Sequence, residues 1–262
     1  MHITMLVFHI LLLLFSARPG SRPAADTEVL AYKLGSTAVE LQRITFEGPT
    51  PLSIVHLHDN EATARMAAET MLATSGGVLL TLKNAERRLL PFRHRGTNYL
   101  ADPNRIFTLV GRRSTLKVLS RYNKAAAVEL LRFANFFVHH IAPAETVVGV
   151  HNNTEANYSV LSYRRGGSFS GDAKETHING SRDPDDFYIT TDDSLFQQLK
   201  RKDYNVVLQD NARADDDGSL SIYYGRKSKS YINVEAEHGH LAEQVLMLQE
   251  LHGLLQKKSL DH

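Results

Sequence analysis

The sequence of 262 residues contains no cysteine. This absence excludes disulfide bonds, thiolate metal ligands and cysteine nucleophiles together. It leaves 13 histidines and 29 acidic residues as the side chains best suited to bind a metal. Any metal site in this protein therefore has to be built from His, Asp and Glu.

The sequence also lacks a surplus of charge of either sign. Thirty basic residues stand against 29 acidic ones, which gives a net charge of +1. Because no basic surplus is present, the composition does not indicate nucleic-acid binding, and we expect no nucleic-acid partner. With 42% hydrophobic and 23% charged residues, the chain has the composition of a water-soluble globular protein.

No apolar run is long enough to cross a bilayer, which takes about 20 residues. The run at positions 5–15, MLVFHILLLLF, is followed by small residues and Pro19. This pattern is typical of a secretory signal, although no Lys or Arg precedes it. We predict a signal peptide over residues 1–25, a catalytic domain over 26–262, a secreted or periplasmic location and no integral membrane span. The alternative is a buried amino-terminal helix.

Strand-like and helix-like segments alternate along the rest of the chain. This alternation predicts an α/β fold: a single domain with a mixed, mostly parallel sheet and helices on both faces. In such sheets the functional side chains collect at the carboxyl ends of the strands. The predicted helices are 61–72, 125–141 and 241–257, and the predicted strands are 52–57, 77–82, 145–150, 205–208, 219–224 and 231–236.

Two of the predicted strands end in a histidine. His58 and Glu61 lie on either side of a strand-to-helix corner, where an imidazole and a carboxylate provide two of the three protein ligands of a catalytic zinc. His151 follows another apolar strand, and Asn152 and Thr154 after it offer groups for binding a substrate. The alternative for each histidine is an ordinary structural or surface residue.

Two further segments carry charged side chains suited to a substrate. Asn104 and Arg105 stand side by side in a turn, and the planar guanidinium binds carboxylates through two hydrogen bonds. In the last predicted strand, alternation places Glu235 and Glu237 on one face. Burial there would raise their pKa values into a range suited to proton transfer. The alternation alone does not distinguish the two glutamates.

In their order along the chain, these segments resemble the zinc carboxypeptidase superfamily, most closely its aspartoacylase and succinylglutamate desuccinylase branch. That branch has His-x-x-Glu after a strand, then Asp-x-Asn-Arg-x-Phe, then a strand ending in His-Asn-x-Thr, and later Glu-x-Gly. The resemblance covers roughly residues 50 to 245, and it departs from the branch at Pro103, where Leu is usual. The matching segments here are His58–Glu61, Asp102–Phe107, His151–Thr154 and Glu237–Gly239.

The resemblance implies a cofactor and its ligands. One zinc ion would be held by His58, Glu61 and His151. The net positive charge of such a centre would acidify a water molecule for attack on an amide carbonyl.

The resemblance also implies roles for the surrounding residues. Asn104 and Arg105 would bind a substrate carboxylate, and Glu237 would be the general base because it matches Glu-x-Gly. The arginine that polarises the carbonyl in the family has no direct counterpart. We assign that role to Arg95, with Arg93 as the alternative.

These expectations define a predicted function. We expect an exported zinc-dependent hydrolase that cleaves an amide or peptide bond near a free carboxylate, with peptides, including cell-wall peptides, as substrates. One alternative is a deacylase of N-acyl amino acids. Another is a protein without catalytic activity that binds acidic peptides.

Overall fold

The computed structural model describes residues 25–49, 52–154 and 158–260. The predicted signal peptide lies outside the described residues except at its last position, so it stays a prediction. Within the described part of the chain, no helix combines the length and the apolar character needed to cross a membrane.

The described residues form a nine-stranded mixed sheet with helices packed on it, and a separate two-stranded hairpin. The strands are β1 (Ala25–Leu34), β2 (Thr37–Phe46), β3 (Leu52–His56), β4 (Gly77–Lys83), β5 (Leu90–His94), β6 (Thr97–Ala101), β7 (Thr146–Asn153), β8 (Ala173–His177), β9 (Phe187–Thr190), β10 (Val206–Gln209) and β11 (Ser230–Glu237). The helices are α1 (Ala62–Ser75), α2 (Leu109–Leu119), α3 (Lys124–His140), α4 (Asp193–Arg201), α5 (Leu220–Gly225) and α6 (Leu241–Leu260). Short 3-10 turns lie at Pro103–Arg105 and Val160–Tyr163.

The strand order of the large sheet is β1-β2-β4-β3-β7-β11-β9-β10-β8. Its centre, β4-β3-β7-β11, is parallel. The outer pairs β1-β2, β2-β4, β11-β9 and β10-β8 are antiparallel, and β9-β10 is parallel. The predicted single-domain, mixed α/β sheet is confirmed.

Side chains of the central strands alternate between two hydrophobic layers. Val147 and Tyr231 pack with Phe133 in the layer covered by α2, α3 and α5. Val148 and Ile232 point the other way, into the layer covered by α1, α4 and α6. Because both faces of the sheet are covered, these strands are apolar on both sides, as their sequences indicate.

One predicted strand is wrong. Residues 219–224 were expected to be extended, but they form helix α5. The Ser219 hydroxyl caps this helix by accepting from the backbone N–H of Ile222, and Asn104 Oδ1 accepts from Leu220 N at 3.1 Å. These acceptors satisfy the first N–H groups of the helix. Residues 219–224 have no place in the sheet that would favour a strand over this helix.

A close backbone contact fixes the start of strands β3 and β4. Gly77 has φ +128°, and a Cβ at this position would lie 2.2 Å from the carbonyl oxygen of Leu52, its neighbour in the sheet. Only glycine has neither the steric conflict nor the strain of this conformation. This close contact between Gly77 and Leu52 therefore sets the register between β3 and β4. β3 is the strand that leads to His58.

We expect Gly77→Ala to lower the free energy of unfolding by about 3 kcal/mol, because the new Cβ meets backbone and the conformation is strained. Gly253→Ala is the matched control, since Gly253 lies in α6 with no atom within 4 Å of the added Cβ. That change should be neutral or stabilise by up to about 1 kcal/mol. Urea denaturation followed by circular dichroism measures both, and equal stabilities would contradict the close contact.

Candidate metal centre and its cavity

The three predicted ligands meet at the carboxyl edge of the parallel strands. His58 follows β3, and His151 lies near the end of the neighbouring strand β7. One potential ligand atom from each of His58, Glu61 and His151 lies within 4.8 Å of the others. All three residues are buried, with exposures of 1%, 3% and 4%.

A tight turn between β3 and α1 brings His58 and Glu61 together. The backbone N–H of Glu61 donates to His58 O at 2.9 Å, and α1 begins at the next residue. His56 holds this turn, because its ring nitrogens contact Thr81 Oγ1 at 2.9 Å and Glu61 O at 3.1 Å. Burial lowers the pKa of His56 to about 4, so this imidazole is neutral and serves as a structural group.

The Glu61 carboxylate lies between the two imidazoles. Its Oε1 is 2.9 Å from His58 Nδ1, and its Oε2 is 3.0 Å from His151 Nδ1. Burial alone would raise the pKa of Glu61, but the two histidines hold it well below its usual range. Burial alone would lower the pKa of His58. The Glu61 and Asp102 carboxylates outweigh this effect and raise the pKa of His58 to about 9. Glu61 is therefore an anion at neutral pH.

The free atoms of this cluster fit a metal ion. His58 Nε2–H donates to Asp102 Oδ1 at 2.9 Å, which turns Nδ1 toward Glu61. Within the described residues, His151 Nε2 is buried without a hydrogen-bond partner, and the Nδ1 atoms of both histidines face the Glu61 carboxylate. Two imidazoles and a carboxylate, with one ring oriented by a further carboxylate, form a donor set typical of catalytic zinc. Asp102 was seen in the sequence only as part of a motif, without this role.

The arginine nearest to the ligands is Arg88, which the sequence analysis missed. Its Nη1 lies 2.5 Å from Glu61 Oε1, and its Nη2 lies 3.8 Å from Asp102 Oδ2. Arg95, which was assigned to the carbonyl, lies instead in the exposed β5–β6 turn with φ +47° and outside the cavity lining. Arg93 is exposed on β5. The hairpin carries both arginines away from the ligands, which corrects the Arg95 assignment.

Asp59 stabilises the turn that carries Arg88. The Asp59 carboxylate accepts from the backbone N–H of Asn84 at 2.8 Å and of Glu86 at 2.9 Å, and it pairs with Lys83 at 2.5 Å. These bonds support a backbone in which Glu86 has a positive φ of 57°. No short sequence pattern indicates such a turn, so its arginine could not be found from spacing.

The two glutamates of β11, Glu235 and Glu237, have different surroundings in the structure. Glu235 lies opposite His151 in the sheet, is 5% exposed and lines the cavity around the ligands. Burial raises the pKa of Glu235, although His151 opposes this effect. Glu237 ends the strand and does not line the cavity; its carboxylate lies 3.4 Å from His240 Nε2. Two residues advance a strand by about 6.6 Å, so Glu237 lies beyond the cavity lining and Glu235 is the glutamate of β11 that lies within it.

The ligands open into a cavity of about 1090 Å³. Asn104, Arg105 and Thr154 line it, as the sequence analysis expected of substrate-binding residues. Arg105 Nη1 donates to Asn104 O at 2.9 Å and lies 3.3 Å from Asp217 Oδ2. Both contacts use Nη1, and 38% of the Arg105 side chain is exposed.

Asn152, predicted to bind substrate, lines the cavity, but its side-chain amide is already bonded to the protein. Its Oδ1 accepts from Ala64 N at 2.7 Å, and its Nδ2 donates to Ala236 O at 3.2 Å and to Gln244 Oε1 at 3.1 Å. These bonds join β7 to α1, β11 and α6. Strand alternation explains them, because the side chain of residue 152 lies on the face of β7 opposite to that of His151. The next residue, Asn153, also lines the cavity, and its Oδ1 is buried and unpartnered among the described residues.

Several solved structures are similar to this chain. A succinylglutamate desuccinylase/aspartoacylase from Rhodobacter sphaeroides is 11% identical with a TM-score of 0.45, covering 90% of this chain and 66% of its own. The murein-tripeptide amidase MpaA from Escherichia coli O157 is 13% identical with a TM-score of 0.44, covering 90% and 93%. The tripeptide-bound cell shape determinant Csd4 from Helicobacter pylori is 13% identical with a TM-score of 0.45, covering 83% and 55%.

No family model matches the chain, and no curated protein sequence matches it. At these identities and TM-scores, the function has to be argued from the residues of the site.

We expect the purified protein to bind one zinc ion per chain. His151→Ala should weaken binding by about 100-fold or more because a ligand is lost, and Asp102→Asn should weaken it by about 10–100-fold because His58 loses its orienting carboxylate. His139→Ala is the control, since His139 is exposed on α3 and belongs to neither of the two His and carboxylate clusters of the described residues that could hold a metal. Chelator competition and elemental analysis measure the affinity. Wild-type affinity in His151→Ala would remove this residue from the centre.

Proposed function

We propose that this chain is a zinc-dependent hydrolase that cleaves an amide bond next to a free carboxylate in a peptide, and that it acts outside the cytoplasm. The observation that carries the proposal is the meeting of His58, Glu61 and His151 within 4.8 Å, in the lining of a cavity that is also lined by the buried Glu235. The proposed location rests only on the amino-terminal sequence.

The residues around the ligands have the chemistry that hydrolysis needs. Zinc, when held by the three ligands, supplies Lewis-acid chemistry that acidifies a water molecule and polarises a carbonyl oxygen. Glu235 is placed to accept the proton of the attacking water and to pass it to the leaving nitrogen, and its burial raises its pKa toward the range of an effective base. The Arg88 guanidinium supplies positive charge where the carbonyl oxygen becomes negative.

The size and charge of the cavity favour a peptide as substrate. Its volume of about 1090 Å³ lies just above the range for small-ligand sites, which is about 300–1,000 Å³. A single N-acylated amino acid would leave much of this space unfilled. Arg105 offers a binding group for the terminal carboxylate. These features favour a peptidase over a deacylase of N-acyl amino acids.

We expect Glu235→Gln to lower kcat by about 100-fold or more while zinc stays bound, because the amide keeps the shape of the side chain but accepts no proton. Glu237→Gln is the matched control and should keep nearly full activity. Turnover of peptides by zinc-loaded protein, with metal content measured in parallel, tests both variants. Full activity in Glu235→Gln together with a loss in Glu237→Gln would reverse the assignment.

We expect Arg105→Ala to raise KM by about tenfold or more for peptides with a free carboxyl terminus, since a charge-assisted hydrogen bond is lost. The kcat should change little, because the clamp acts in the ground state and the transition state alike. Amidated peptides provide the substrate control, and Arg113→Ala, an exposed change on α2, provides the protein control. An equal rise in KM for amidated peptides would show that Arg105 does not read the carboxylate.

A further inference from the structure

Basic residues are concentrated in one part of the chain. Residues 87–124 contain ten Lys and Arg side chains and a single acidic one, Asp102, although the whole chain has 30 basic and 29 acidic residues. This stretch includes the β5–β6 hairpin and helix α2. The rest of the chain therefore carries a net negative charge, and residues 87–124 form a strongly basic region.

Helix α2 has a buried side and an exposed side. On the buried side, Leu116 belongs to the hydrophobic core, and Arg112 Nη1 donates to Ile106 O at 2.7 Å. On the exposed side, residues four positions apart form two neighbouring rows along the helix. Aliphatic and cationic residues share this side, because one row consists of Leu109, Arg113 and Lys117 and the other of Val110, Ser114 and Val118, all of them exposed.

The cations on this side of α2 have no counter-ion in the described structure. Across residues 25–49, 52–154 and 158–260, no carboxylate lies within 4.0 Å of the charged groups of Arg113, Lys117 or Arg121. The Arg113 guanidinium lies over the Tyr122 ring, 5.4 Å from its centre, and Arg121 Nη2 donates to Thr97 Oγ1 at 3.2 Å. Their positive charge is therefore available to a partner of opposite charge.

The aliphatic side chains on the exposed side of α2 have little protein around them. Val118 is 77% exposed, Leu109 is 69% exposed and Val110 is 53% exposed. Leu109 and Val118 are about 13 Å apart along the helix axis, at a rise of about 1.5 Å per residue. Single exposed aliphatic residues are common on protein surfaces. Here they lie at both ends of a helix face with unpaired cations between them, which is the pattern of a helix that lies in the interface of a membrane.

The β5–β6 hairpin extends this surface beyond α2. Ser120 Oγ accepts from Leu100 N at 2.6 Å and donates to Leu100 O at 3.0 Å, and Arg121 donates to Thr97. These bonds join the carboxyl end of α2 to β6, and the turn before β6 carries the exposed Arg95. We call the combined surface the basic face, which consists of Arg95, Leu109, Val110, Arg113, Lys117, Val118 and Arg121.

We propose that the basic face binds the surface of a bilayer that contains anionic lipids. In the bound state its cations lie at the level of the lipid phosphates, and its aliphatic side chains enter the outermost part of the apolar region. A nucleic acid or an anionic polysaccharide matches the charge, but it offers no apolar layer to cover Leu109 and Val118. The inference concerns attachment to a surface, so it does not depend on the proposed hydrolysis.

Co-sedimentation of the full-length protein with lipid vesicles tests the proposal. Vesicles of phosphatidylcholine alone are compared with vesicles in which about 30% of the lipid is the anionic phosphatidylglycerol. Each cation near an anionic surface strengthens binding about fivefold, so the four cations of the basic face should give a preference of about 100-fold or more for the anionic vesicles. Equal binding to both kinds of vesicle would overturn the proposal.

The double variant Arg113→Gln, Lys117→Gln should weaken binding to the anionic vesicles by about 20-fold, because two cations of the basic face are lost. The matched control is the double variant Arg164→Gln, Arg165→Gln, which removes the same charge from exposed positions after the Val160–Tyr163 turn. The control should bind within about threefold of the wild type. Equal losses in the two double variants would show that only the net charge attracts the protein, and the basic face would then have no special part.

A tryptophan reporter locates the lipid contact. The chain contains no tryptophan, so one introduced indole reports on its own surroundings. On anionic vesicles, Val118→Trp should shift its fluorescence emission to shorter wavelength by about 10 nm or more, because the indole enters the membrane interface. Leu246→Trp, a change on α6 at a position that is 59% exposed, is the matched control and should keep its emission.

Every variant keeps the apolar run at residues 5–15, so differences between the variants report on the basic face. If Val118→Trp sediments with the vesicles without a change in emission, the basic face does not contact lipid and the proposal fails. If that result is accompanied by a loss of heparin binding in the Arg113→Gln, Lys117→Gln variant, the basic face binds a soluble polyanion instead.

Discussion

A carboxylate buried between two imidazoles is the interaction on which the site depends. Glu61 is 3% exposed, and an isolated anion at such a depth would be strongly destabilising. His58, His151 and Arg88 surround it within 2.5 to 3.0 Å and offset that cost. The environment stabilises the charged form of Glu61 and gathers three potential metal ligands within 4.8 Å of one another. The folding of this edge of the sheet and its capacity to hold a metal therefore have the same physical origin.

The parallel centre of the sheet is what allows these groups to meet. β3, β7 and β11 are neighbours that run in one direction, so residues near their carboxyl ends share one edge. His58, His151 and Glu235 come from these three strands, far apart in the sequence. On the opposite face of β7, Asn152 and Gln244 join the strand to α6. Two adjacent residues of β7 thus have different roles: His151 lies in the candidate metal centre, and Asn152 joins the strand to α6.

The cavity beyond the ligands combines opposite charges. Arg88 and Arg105 provide positive charge, and Asp172, Asp215 and Asp217 provide negative charge. The low-dielectric walls of a cleft strengthen the fields of such charges. Asp217 joins the two signs, because its carboxylate lies 3.3 Å from Arg105 Nη1.

The sequence by itself determined the α/β class, most of the central strands and the candidate ligands His58, Glu61 and His151, because these depend on local periodicity and on polar residues at strand ends. It also narrowed the candidate base to Glu235 and Glu237. Only the tertiary structure put Glu235 rather than Glu237 in the cavity lining, brought Arg88 rather than Arg95 to the cluster, engaged the Asn152 amide in structural hydrogen bonds and made residues 219–224 a helix. Those outcomes depend on where a strand stops, which way a turn leaves the sheet and which face is covered. Such features are set by packing between distant segments, which local spacing does not encode.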